Sequence, residues 1–177
     1  MEEFQGRPAD VTGRLEKEIA VYDLLDQLDI PFRRVDHDHA DTMEMCQEID
    51  QALGQDICKN LFLCNRQKTK FYLLLMPGSK PFKTKDLSAQ IGSSRLSFGG
   101  PEDMERLLHL TPGSVTVLGL MYDPDCQVTL LIDQDLYQQT AFGCHPCINT
   151  STVQFSTADL REKLLPALGH PVTLVQL

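Results

Sequence analysis

Lys59-Asn-Leu-Phe-Leu-Cys-Asn-Arg-Gln-Lys-Thr-Lys-Phe-Tyr-Leu-Leu-Leu-Met76 decides the fold. Two short, strongly apolar runs, 59–65 and 70–76, flank a polar stretch from Asn65 to Thr69. Runs of this length, rich in Leu and aromatics and bounded by turn residues, read as paired strands. The hairpin needs cover on its apolar faces, so the remaining elements should be helices and further strands packed around it.

Outward from the hairpin, single helices alternate with short strands. Upstream, Leu15, Ile19, Tyr22 and Leu25 recur at helical spacing behind Thr12, a candidate N-cap, and Pro31 lies beyond the helix end. Phe32 to Asp36 reads as a strand and His37 to Asp41 as a polar loop. Thr42 can cap a helix that carries Met45, Ile49, Ala52 and Leu53 on one face and stops at Gly54. Downstream, a helix runs from Thr84 or Lys85 to Ile91 and is closed by Gly92. Arg95 to Phe98 is a brief strand, and Pro101 opens another helix with Glu102 and Asp103 in its first turn. Ser114 to Met121 and Gln127 to Ile132 read as strands, Asp133 to Tyr137 as one helical turn. Ser156-Thr-Ala-Asp159 has the form of a capping box for a helix to Leu165 or Leu168, and Pro171 to Leu177 is a last strand. The expected fold class is α/β (α+β): one domain over residues 13–177 behind a tail of 1–12, with a mixed, mainly antiparallel central sheet flanked by helices.

The 177 residues suffice for one core, with 42% hydrophobic and 23% charged residues, ordinary for a globular chain. No apolar run approaches the ~18 residues of a membrane span. Met1-Glu-Glu-Phe4 is acidic and has no apolar core of a secretory signal, so a cytoplasmic location without a membrane partner is expected. The six cysteines are then reduced thiols. The net charge of −9 argues against a polyanionic partner, but its distribution does not. Residues 59–95 hold eight basic residues and one acidic, +7, and the rest of the chain is −16. That segment is either a solvated hairpin edge or an electropositive face on an acidic body.

The second informative stretch is Phe142-Gly-Cys-His-Pro-Cys-Ile-Asn-Thr150, a candidate rigid loop before the alternating run 152–155. Gly143 permits positive φ and close backbone approach, while Pro146 biases His145 toward extended backbone. Such a loop can aim N–H groups and one imidazole at one small volume. Cys144 and Cys147 fit a Cys-x-x-Cys redox dithiol, but a strand pattern follows where a thioredoxin-like motif opens a helix. No second cysteine pair has zinc spacing, and His37-x-His39 reads as loop, so no metal or other cofactor is expected. Lys59 at a strand mouth is either a snorkelling cation or a point charge for a phosphate.

Together, Lys59-Asn-Leu-Phe-Leu63, Arg95-Leu-Ser-Phe98, Thr111-Pro-Gly-Ser-Val115 and Gly143-Cys-His-Pro-Cys-Ile-Asn-Thr150 resemble, in order, the prolyl-tRNA synthetase-associated editing domain (YbaK-type) family. The resemblance covers residues 14–177 and is strongest to freestanding members that deacylate Ala-tRNA(Pro) in trans. It implies a catalytic set of Lys59, His145 and Gly143, with Lys59 on the terminal adenosine phosphate. It places Asn60, Thr42, Met45, Asn149, Thr150 and Pro146 at the aminoacyl end, with selection of alanine by exclusion of the larger proline. It gives Lys68, Lys70, Lys80, Lys83, Lys85 and Arg95 a role on the tRNA acceptor end. The implied partners are tRNA(Pro) and, transiently, prolyl-tRNA synthetase. A nucleotide-binding module without catalysis and a Cys144/Cys147 oxidoreductase stand as alternatives.

Overall fold

The run Phe71–Met76 forms β4, buried along its whole length because both faces of its sheet are covered. A computed structural model describes residues 1–177. The other strands are β1 (Glu3–Gln5), β2 (Arg33–Asp36), β3 (Lys59–Cys64), β5 (Ser97–Phe98), β6 (Val128–Asp133), β7 (Ala141–Cys144), β8 (Ser151–Ser156) and β9 (Val172–Val175). The helices are α1 (Glu16–Gln27), α2 (Met43–Leu53), α3 (Thr84–Ile91), α4 (Pro101–Leu108), α5 (Thr157–Asp159) and α6 (Leu165–Leu168), the last two joined by a π turn over Leu160–Leu164.

The expected class holds, but the strands divide between two sheets. One is antiparallel in the order β1-β2-β8-β7, the other mixed in the order β5-β3-β4-β6-β9. β3 and β4 pair antiparallel from Lys59↔Met76 to Cys64↔Phe71, as the hairpin reading requires. β4 and β6 are parallel, as are β6 and β9. The pleat sorts side chains strictly. Phe62, Phe71, Leu73, Leu75, Leu130 and Ile132 enter the large core shared with the first sheet and α1. Leu63, Tyr72, Leu74, Met76 and Leu131 face the other way, onto Leu87 of α3. A third, small cluster joins Val35 of β2 to Ile49 and Leu53 of α2.

Local chemistry sets most element ends as expected. Thr42 Oγ1 accepts from Met45 N–H at 3.2 Å, and Gly54 takes the left-handed conformation past α2. Ser156 Oγ accepts from Asp159 N–H at 3.0 Å. Four expectations are corrected. Thr12 does not cap α1: Asp10 takes its N–H, a turn intervenes, and helix begins at Glu16. Ser114 to Met121 is no strand: Val117–Tyr122 is a 3₁₀ helix, begun where Thr116 Oγ1 accepts from Leu118 N–H. Val117, Leu118, Gly119 and Leu120 are all buried, so no alternation of faces distinguished strand from helix there. The strand near Arg95 shortens to Ser97–Phe98 because Ser88 Oγ holds Leu96 N–H. Residues 3–5 are not loose tail but an edge strand on β2.

Candidate active site

β7 ends at Cys144 and β8 begins at Ser151, so residues 145–150 form a tight link between neighbouring antiparallel strands. Beside it lies a cavity of about 220 Å³ whose walls include Ile57, Cys58, Asn60, Val115 and His145. The ring of His145 is set by Ser151: a carbonyl only accepts, so the 2.9 Å contact puts the proton on Nδ1 and leaves the Nε2 lone pair free. Thr152 Oγ1 lies 3.4 Å from the same nitrogen and 2.9 Å from His37 Nε2. Burial lowers the His145 pKa, the Ser151 bond works against that, and nearby His37 adds to the lowering.

Asn60 spans the cavity floor. Its Oδ1 accepts from Val117 N–H at 3.1 Å, and its Nδ2 lies 3.2 Å from Cys58 Sγ. The cavity therefore sits where β3, the 3₁₀ segment and the 145–150 link converge. Gly143 stands behind the wall: a Cβ there would lie 2.5 Å from Ile57 Cδ1. The glycine is required for that approach and not for positive φ, which falls instead on Cys147, at 63°. The N–H groups of Cys147, Ile148 and Asn149 have no partner within the protein. Successive free N–H groups around a left-handed residue form a concavity suited to an anion.

Lys59 and Asn60 do not share the cavity, although they are adjacent. The pleat sends Asn60 into it and Lys59 to the α3 face, where Lys59 Nζ donates to the Lys80 carbonyl. Asn149 acts as a brace: its Nδ2 donates to Asp41 at 2.9 Å and its Oδ1 accepts from Ala40 N–H at 3.2 Å. Asn149 and Thr150 border a second space of about 520 Å³, beside His39, Asp41 and Thr111. Gly113, on the wall of the first space, has φ 88°, and its absent Cβ would lie 3.0 Å from Asn149 Nδ2 on the wall of the second.

This arrangement joins three of the four stretches singled out in the sequence, while Arg95 to Phe98 lies at the other end of β3, and the comparison with known proteins agrees. Residues 37–163 match the aminoacyl-tRNA editing domain family. The chain belongs to that family. It is 32% identical over 158 residues to the prolyl-tRNA editing protein ProX of Acetoanaerobium sticklandii, covering 89% of this chain and 96% of that one. It is 28% identical over 169 residues to the prolyl-tRNA synthetase associated domain-containing protein 1 of Danio rerio, covering 94% and 88%. A solved structure of a candidate trans-editing enzyme for prolyl tRNA synthetase superposes with a TM-score of 0.65 at 17% identity, covering 92% and 98%, and shares the fold.

Within this editing domain the remaining residues named from sequence fall in different places. Thr42 is exposed and its hydroxyl is used in the cap; Met45 packs with Ile57 on the third cluster, behind the cavity wall. Pro146 is buried in the link. Lys80 is engaged by Asp133 Oδ2 at 2.8 Å and Asp135 Oδ2 at 2.7 Å. Lys68, at φ 55° in the turn, and Lys70 lie at the opposite end of the β3–β4 hairpin from Lys59. Lys83 precedes α3, Lys85 is in its first turn, and Arg95 follows it near the far end; the three form no ion pair. The walls Ile57, Cys58, Gly113 and Val115 had no assigned role, since small and apolar residues give no chemical signal by themselves. A redox role for Cys144 and Cys147 is disfavoured: burial pushes both thiols up to about 12, the reverse of an activated pair. No helix is long and apolar enough to cross a membrane.

Proposed function

We propose that this chain is a trans-acting aminoacyl-tRNA deacylase that hydrolyses the ester of misacylated tRNA(Pro), with Ala-tRNA(Pro) as its substrate. The observation that carries this reading is the cavity beside His145. At about 220 Å³ it is smaller than the roughly 300–1,000 Å³ of ordinary small-molecule pockets. Ile57 and Val115 offer apolar contact to a methyl-sized side chain, while Asn60 and the free Nε2 of His145 offer polar contact to the amino group or to water.

An aminoacyl ester is already activated, so the protein must position a water and stabilise the developing oxyanion. The unpaired N–H groups at 147–149, which border the second space beside the cavity, are the proposed donors for that charge. A neutral His145 accepts a hydrogen bond from the attacking water or from the substrate's ribose hydroxyl, which orients the water. Lys59 supplies a point charge for the phosphate of the terminal adenosine. No step needs a metal or an organic cofactor in this scheme. Proline is rejected by overlap with the cavity walls, which discriminates more strongly than the ~1–3 kcal/mol of a missing methylene. The homology to ProX and the editing-domain match support the substrate class.

The test is deacylation of a panel of tRNA(Pro) species charged with alanine, cysteine, serine and proline. Rapid loss of the alanyl ester with retention of the prolyl ester is expected. Equal hydrolysis of both, or binding without turnover, overturns the proposal. In the second case the chain is a binding module of the same fold.

A further inference from the structure

The loop between β4 and α3 carries a lysine that the cavity does not use. Lys80 places its ammonium between Asp133 Oδ2 and Asp135 Oδ2, at 2.8 and 2.7 Å. Asp133 is completely buried at the end of β6, and its second oxygen, Oδ1, accepts from Asp135 N–H at 3.0 Å. A buried carboxylate is tolerated only when paired and hydrogen-bonded, so this anchor is strong. The loop also passes close to Ile57 at Gly78, where a Cβ would lie 2.2 Å from the Ile57 carbonyl oxygen. Ile57 is itself a wall of the candidate cavity.

The main chain of this anchored loop is what Lys59 touches: its Nζ donates to the Lys80 carbonyl. A carbonyl fixes the direction of an ammonium without neutralising it, and two of the three donors remain for another acceptor. The charge of Lys80, in contrast, is cancelled by two carboxylates.

We propose that Lys80, anchored by Asp133 and Asp135, is a positioning residue that holds Lys59 at the mouth of β3 to receive a phosphate, and is not itself a phosphate contact. This rests on the reading of Lys59 given above. Pre-orienting one charged donor removes the rotamer freedom that a long lysine chain would otherwise lose on binding.

A double-mutant cycle tests it, with wild type, Lys59→Ala, Lys80→Met and the double variant assayed for kcat/KM on Ala-tRNA(Pro). Lys80→Met should lower kcat/KM about tenfold, the scale of one charge-assisted hydrogen bond, and should cause no further loss in the Lys59→Ala background. Losses that multiply would overturn the proposal, because Lys80 would then act on the RNA or on the fold directly. On alanyl-adenosine, which lacks the phosphate, Lys80→Met should approach wild type; an equal loss there marks structural damage and also overturns it. Asp135→Asn, at an exposed carboxylate, should give a smaller loss in the same direction that also vanishes without Lys59. The same cycle read as affinity for adenosine 5′-monophosphate needs no turnover. An inactive wild type whose affinity cycle is still non-additive would reject the deacylase reading and keep the positioning role.

Discussion

His145 is held as a base by its surroundings. Burial is the main cause of its lowered pKa, and the Nδ1 proton is committed to Ser151. The unfolded chain, with an ordinary histidine near 6.5, binds this proton more readily than the folded one. Stability from this group is therefore complete above about pH 6.5 and is lost as pH falls through the lower folded value. His145→Gln should flatten that part of the profile. Urea denaturation of both proteins at pH 8 and pH 5 checks it: the wild type should lose more stability between the two than the variant. An equal loss would place the acid sensitivity elsewhere. The same lowered value keeps Nε2 unprotonated at neutral pH, the form in which it can accept a hydrogen bond from water.

Among the elements, α2 shows what can be read from sequence and what cannot. Its cap at Thr42, its buried Ile49 and Leu53 and its stop at Gly54 are all local signals, and all are found. Thr42→Ala removes the oxygen that accepts from Met45 N–H and should cost about 1 kcal/mol, measured by chemical denaturation, with Thr42→Ser restoring most of it. No change on Thr42→Ala would mean that water satisfies the helix end equally well. The hairpin, α3 and the capping box at Ser156 were legible for the same reason, since each is specified within a few residues. The segment 117–122 was not, because its helical form depends on tertiary partners: Asn60 at Val117 N–H and the crowding of Gly119 against Leu110. The candidate site divides in the same way. His145 could be named from its chemistry and Asn60 from the family resemblance, whereas Ile57 and Val115 became walls only through pairing and packing. The separation of Lys59 from Asn60 follows from the pleat alone once β3 is accepted as a strand.

Across the whole molecule, five of the eight basic residues of the +7 segment fall into two groups at opposite ends of one hairpin, and Lys83, Lys85 and Arg95 lie around α3. Lys59 and Lys80 stand where β3 starts and β4 ends, and Lys80 is neutralised by Asp133 and Asp135. Arg66, Lys68 and Lys70 stand at or beside the turn, five residues along β3, or about 17 Å at the usual strand rise. An acidic body would repel RNA everywhere except along such a track. If the terminal phosphate rests on Lys59, the turn is placed to meet phosphates several nucleotides further into the acceptor arm. Lys68→Ala with Lys70→Ala should then weaken kcat/KM on full-length Ala-tRNA(Pro) and reduce its log–log salt slope by about 1.4–1.8, as for two lost phosphate contacts. The same pair of changes should leave unaltered the hydrolysis of an alanylated terminal trinucleotide, which is too short to reach the turn from Lys59. An unchanged slope on the full tRNA would assign the turn to a solvated hairpin edge, and equal losses on both substrates would mean that the turn supports the fold of β3 and β4 and makes no RNA contact.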